Sequence, residues 1–129
     1  MIVLDTHIWL WWTNQDNDKL GLARKEQIES SDSVAVSAIS CLEVAWLEGH
    51  GRIELPLSRA DWFKRALKGS GVILIPITPK IAGISVDLPE HHRDPQDRLI
   101  IATAIACDAF LMSLDRKFPV YEELAGKLL

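Results

Sequence analysis

Four short apolar runs are spaced along the chain with helical patterns between them: Ile2-Val3-Leu4, Val34-Ala35-Val36, Val72-Ile73-Leu74-Ile75-Pro76-Ile77 and Ala109-Phe110-Leu111-Met112-Ser113. Strands that are apolar throughout, rather than alternating, are covered on both faces, and strands joined by helical crossovers run parallel. The expected fold class is therefore α/β, a three-layer α/β/α domain with a central, mostly parallel β-sheet. A length of 129 residues and 48% hydrophobic content suit one domain over residues 1–129 with a core of its own.

Between the strands, Thr6 is placed to cap a helix beginning near His7, and Leu20, Ala23, Gln27 and Ile28 repeat at helical spacing over 20–29. Ser37 is the expected cap of a helix carrying Ile39, Leu42, Val44, Ala45, Trp46 and Leu47, stopped by Gly49-His50-Gly51. Residues 56–68 read as a further helix, with Ser58 and Asp61 in capping-box spacing. Thr78-Pro79 and Pro95 each open a helix with proline near its first position. The tail from Phe118 has room for an edge strand and a final turn, and no repeat, linker or low-complexity tract interrupts the chain.

In open parallel sheets, ligands bind beyond the carboxyl ends of the strands, near a switch in strand order. That rule selects acids. Asp5 ends the first strand, Glu43 lies on the helix after the second, Asp115 follows the fourth, and Asp97 is in the first turn of the helix leading into the fourth. Carboxylates gathered in a low-dielectric cleft stay ionised only around something positive, and a hard divalent cation suits oxygen donors. Mg²⁺ or Mn²⁺ held there would activate water and clamp the oxygens of a phosphodiester, so the chemistry pointed to is hydrolytic phosphodiester cleavage.

Each acid also has an ordinary explanation. Asp5 is a favoured helix cap, as is Thr6 beside it; Ser40 and Glu43 have capping-box spacing; Asp94 and Asp97 complement the positive end of a helix dipole. Asp115 is placed to pair with Arg116 or Lys117, a surface contact worth about 0–1 kcal/mol. The functional reading rests on one topological rule selecting four acids together.

The formal net charge of −4 rules out a global basic field, so contact with nucleic acid has to be local. Arg93, Arg98, Arg116 and Lys117 neighbour the acids, with Arg98 and Arg116 the candidates for phosphate binding and charge balance the alternative. His91 and His92 read as solvated loop residues without zinc-ligand partners, and His7 and His50 carry no assigned role. Cys41 and Cys107 fall in apolar helical segments and suit free thiols in a reducing cytosol. No apolar stretch approaches the ~20 residues of a membrane span, so a cytoplasmic protein without membrane contact is expected. Of five tryptophans, Trp9 and Trp12 share a helix face while Trp11 points elsewhere and suits a groove for a partner's amphipathic helix; Trp9 and Trp46 suit ordinary packing on the sheet.

In order along the chain, Met1 to Leu10 with Asp5-Thr-His-Ile-Trp, Ser37-Ala-Ile-Ser-Cys-Leu-Glu43, His92-Arg-Asp94-Pro-Gln-Asp97-Arg-Leu-Ile-Ile-Ala-Thr-Ala and Leu111-Met-Ser-Leu-Asp115-Arg-Lys-Phe118 resemble the four motif blocks of the PIN-domain ribonucleases, and most closely the VapC-type toxins of type II toxin–antitoxin pairs. The resemblance spans nearly the whole chain. It implies Asp5 and Asp97 as metal ligands, Glu43 and Asp115 completing the catalytic set, and Thr6, Asp94 and Ser113 as supports around them. It further implies an endoribonuclease using Mg²⁺, with Mn²⁺ an alternative, on an RNA substrate, together with a cognate antitoxin and a homodimer. Gln96 departs from the aromatic residue that this subgroup often carries beside the third acid. A catalytically inactive RNA- or protein-binding module is the competing function, opposed by the complete acid set. A phosphotransferase using Asp5 as nucleophile is a third reading, weakened by His7 where such enzymes often place a second Asp.

Overall fold

The computed structural model describes all 129 residues. Four strands, β1 (Ile2–Leu4), β2 (Val34–Ser37), β3 (Val72–Ile75) and β4 (Phe110–Met112), form one sheet in the order β3-β2-β1-β4, and every pair is parallel. The chain builds outward from β1 to β3 on one side, then crosses to place β4 on the other. The switch in strand order therefore falls between β1 and β4.

Seven helices connect and cover the strands: α1 (Thr6–Thr13), α2 (Asn17–Leu20), α3 (Leu22–Glu29), α4 (Ala38–Gly49), α5 (Arg59–Ala66), α6 (Pro79–Asp87) and α7 (Pro95–Ala106). Alternation along each strand divides the core into two layers. Ile2, Leu4, Val34, Val36, Val72 and Met112 pack with Ile8, Trp9, Leu20, Ile28, Val44 and Trp62 on one face. On the other, Val3, Ala35 and Leu111 meet Ile100, Ile101 and Ala104 of α7, with Phe118, Tyr121 and Leu124 from the tail. The three-layer architecture is as expected. No helix is long and apolar enough to cross a membrane.

Several local expectations need correction. The helix expected over 20–29 begins at Leu22, and Leu20 instead ends α2, because Gly21 between them sits at φ 86, a conformation that a helix interior cannot hold. The helix expected over 56–68 is confined to Arg59–Ala66; Ser58 does cap it, its Oγ accepting from the Asp61 N–H at 3.2 Å. The third strand stops at Ile75, before Pro76, and lies at the sheet edge with Ile73 and Leu74 exposed. The tail adds two 3-10 turns, Phe118–Val120 and Glu122–Leu124, and a single parallel bridge from Leu128 to Leu111 beside β4.

The tryptophans divide by role. Trp9 and Trp62 are fully buried and meet edge to face at 5.1 Å, with their indole N–H groups donating to Ala66 O at 3.0 Å and Asn14 Oδ1 at 2.7 Å. Trp46, expected to pack on the sheet, is instead 48% exposed, stacked on His50 at 4.0 Å. Cys41 and Cys107 are free thiols.

Candidate metal centre

The β1–α1 corner places Asp5. Its backbone N–H donates to Met112 O at 3.0 Å, continuing the ladder to β4, and its carbonyl accepts from Trp9 N to start α1. Asp5, not Thr6, is the N-cap: Oδ1 accepts from the Thr6 N–H at 2.8 Å, and Thr6 is already the first helical residue. The buried Thr6 hydroxyl turns instead to Ser40 on α4, donating to its Oγ at 2.8 Å. Ser113, just past β4, donates from its hydroxyl to Asp5 Oδ2 at 2.7 Å across the switch point and accepts from the Asp115 N–H at 3.0 Å. Asp115 in turn accepts the Lys117 N–H at 2.8 Å in a tight turn.

The remaining acids come from two helices. Ser37 caps α4, which leaves Glu43 in the helix interior and removes the capping-box reading with Ser40. Asp94 caps α7 through Oδ1, which accepts from the Gln96 and Asp97 N–H groups at 2.9 and 3.5 Å. Asp97 then stands in the first turn. Asp5, Glu43, Asp94, Asp97 and Asp115 line one cleft of about 410 Å³ with His7, Ile8, Trp11 and Leu114. The four acids selected by topology, and Asp94 beside them, lie together at the carboxyl edge of the sheet.

Crowding and burial act on these carboxyls together. Burial raises the Asp5 pKa, opposed by the hydrogen bonds from Ser113 and Thr6. Burial also raises Glu43, with repulsion from Asp5 and Asp94 adding and the nearby Thr6 hydroxyl opposing. Asp97 is pushed up to about 7, first by burial and then by Asp94, Asp5, Asp115 and Glu43. Glu43 Oε1 is buried without a hydrogen-bond partner. Mutually repelling oxygen donors, one of them buried without a partner, are the chemistry that a hard divalent cation relieves, so the donor set fits Mg²⁺ or Mn²⁺. As the side chains stand, no three of them are grouped closely enough to hold one ion.

Two other expectations change here. Arg98 is not a rim residue: its guanidinium donates to the carbonyls of Ser85, Leu88, Pro89, His92 and Val86 at 2.8, 2.7, 2.9, 3.3 and 3.4 Å. It closes the carboxyl end of α6 and staples the following loop to α7, leaving no fork free for phosphate. Arg116 remains exposed near the cleft. His92, read as a solvated loop residue, is 8% exposed; its Nδ1 lies 2.7 Å from Tyr121 Oη and its Nε2 3.4 Å from Asp97 Oδ2. Burial lowers its pKa, with Lys117 adding. Tyr121 reaches it from the tail, 29 residues along the chain, and no local pattern announces that contact.

Comparison with known proteins places this architecture. Residues 2–124 match the family model described as PIN domain. Ribonuclease VapC22 of Mycobacterium tuberculosis is 38% identical over 117 residues, 90% of this chain and 88% of the relative. Among solved structures, VapBC2 from Rickettsia felis, bound to a DNA fragment from its promoter, aligns with a TM-score of 0.73 at 21% identity, covering 100% of this chain and 98% of that one. A toxin–antitoxin complex from Klebsiella pneumoniae aligns at 0.67 with 22% identity, covering 100% and 96%. At those identities the structural likeness speaks for the fold alone.

Proposed function

Because the chain belongs to the PIN-domain family and is of the VapC type, we propose that it is an endoribonuclease dependent on Mg²⁺ or Mn²⁺ and the toxin of a type II toxin–antitoxin pair. The observation that carries the catalytic reading is the cleft itself: five carboxyls at one sheet edge, with Asp97 pushed up to about 7 by burial and by its neighbours. Asp5 and Asp97 would hold the ion, with Glu43 and Asp115 completing the set. When bound, a divalent ion supplies a nucleophilic water near neutral pH and offsets charge on the phosphodiester oxygens.

The chain's own residues do the positioning. Ser113 and the Thr6 N–H fix the Asp5 carboxylate, and Asp94 fixes the start of the helix that presents Asp97. Glu43 lines the cleft beside them and would take a proton from the attacking water. Exposed Arg116 is the remaining candidate for a phosphate contact at the rim.

The partner reading is part of the same proposal. A groove of about 450 Å³ continues from the cleft past His7 and Trp11 to Leu10, Ile53 and Arg52, a mixed surface suited to an amphipathic antitoxin segment. Exposed Ile73, Leu74 and Ile77 along the β3 edge suit a second copy in a homodimer. Residues 1–129 would act as one domain in the cytoplasm.

The test is cleavage of RNA by the purified protein with Mg²⁺, with Mn²⁺ and with chelator, alongside Asp5→Asn. Metal-dependent cleavage lost in the variant is expected, together with relief of growth inhibition on expression. Cleavage indifferent to chelator and to Asp5→Asn would refute the mechanism. A protein that binds RNA without cutting it would favour the inactive binding module.

A further inference from the structure

We infer that His92 is a positioning residue for Asp97, locked in one tautomer by Tyr121 so that its Nε2–H steadies Asp97 Oδ2 and leaves the other carboxylate oxygen to serve the cleft. The inference rests on the metal-dependent reading above and deepens it.

The geometry is specific. His92 is 8% exposed, Tyr121 is 1% exposed, and their contact is short, with Tyr121 Oη 2.7 Å from Nδ1. Nε2 is buried without a hydrogen-bond partner, and the acid nearest to it is Asp97, with Oδ2 at 3.4 Å. With Asp97 ionised, as a metal ligand must be, a proton on Nδ1 would leave a bare Nε2 lone pair facing a carboxylate oxygen, acceptor against acceptor. A Tyr121 hydroxyl donating to Nδ1 removes that conflict and puts the proton on Nε2, aimed at Asp97. At 3.4 Å the pair is slightly longer than the ~3.2 Å of an ordinary N–H···O bond.

The rest of the environment holds the imidazole rigid. Its ring meets Tyr121 at 5.4 Å and Phe118 at 6.3 Å between centroids, while Arg98 holds its carbonyl at 3.3 Å. A histidine on a surface loop needs none of these constraints. A group that must hold one carboxylate oxygen steady needs all of them, since outer partners of this kind set ligand orientation and affinity.

The test is calorimetric titration of the full-length protein with Mn²⁺, comparing wild type with His92→Phe, His92→Gln and Tyr121→Phe, with metal-free melting temperatures alongside. His92→Phe fills the space without a donor and is expected to weaken Mn²⁺ binding by about 10–100-fold. His92→Gln places an amide N–H near the Nε2 position and should recover most of that loss; Tyr121→Phe should weaken binding by a smaller factor. A purely packing role would make Mn²⁺ affinity follow melting temperature across the set, with Gln no better than Phe, and that pattern would overturn the inference. So would wild-type affinity in His92→Phe. Should that variant not fold, Tyr121→Phe decides alone, and an unchanged affinity there counts against the inference. Wild-type protein that binds no Mn²⁺ would remove the parent reading and this one with it.

Discussion

Asp5 and Asp97 share a cleft but are held in opposite ways. Asp5 ends a strand, where the ladder to β4 fixes its backbone and two donors, the Ser113 hydroxyl and the Thr6 N–H, satisfy its carboxylate. Asp97 opens a helix; the close donor candidate for its carboxylate is His92 Nε2 at 3.4 Å, and four other acids press on it. Both groups are pushed toward the neutral acid by burial, but only Asp5 has hydrogen bonds pulling back. One half of the site is thus preorganised by the sheet, while the other stores repulsion that a cation would relieve.

The contrast can be broken from either side. The largest expected effect is Asp5→Asn on RNA cleavage, a rate loss of about 10²–10³-fold or more, because the amide keeps the corner's shape but removes a charged ligand. Circular dichroism should show the fold unchanged, separating chemistry from folding. Next is Arg98→Ala, which strands five carbonyls at the end of α6 and in the loop beyond it, and frees the loop carrying His92. A loss of about 2–4 kcal/mol in chemical denaturation is expected.

Asp97→Asn should act in the opposite direction on stability. A carboxyl at about 7 in the folded protein, against its ordinary value of 3.8, binds more protons folded than unfolded between those values. The metal-free protein therefore loses stability as pH rises through that window, and Asn abolishes the loss. Urea titrations without metal should find the variant more stable by about 1–2 kcal/mol at pH 8 and level with wild type near pH 4. The smallest effect belongs to Ser113→Ala, which removes the buried hydrogen bond to Asp5 and the one accepted from the Asp115 N–H, and should cost about 1–2 kcal/mol. It should also raise the pH at which cleavage switches on, because the bond to Asp5 that it deletes is the stronger of the two hydrogen bonds pulling the Asp5 carboxyl down.

The Asp5 half was legible in the sequence and the Asp97 half only partly so, for a physical reason. Asp5, Ser37 and the apolar runs obey local rules: strand ends, caps and crossovers lie within a few residues of one another, and topology does the rest. Arg98 and His92 depend on contacts across chain separations that no local pattern encodes. Arg98 looked like a charge at the rim until its five carbonyl partners on the end of α6 and the loop beyond became visible. His92 looked solvated until the tail folded back to bring Tyr121 and Phe118 against it. Trp46 erred the other way, an apolar residue at helical spacing that α4 leaves exposed.

Whether the stored repulsion exists to be relieved by a metal is decided by thermal unfolding at pH 8 with and without Mn²⁺. At about 100 times its dissociation constant, an ion bound only by the folded state adds about 2.7 kcal/mol. Wild-type protein should therefore melt several degrees higher with Mn²⁺, and Asp97→Asn should lose most of that gain. An equal melting temperature with and without the ion in wild-type protein would contradict the assignment of this cleft as a metal centre.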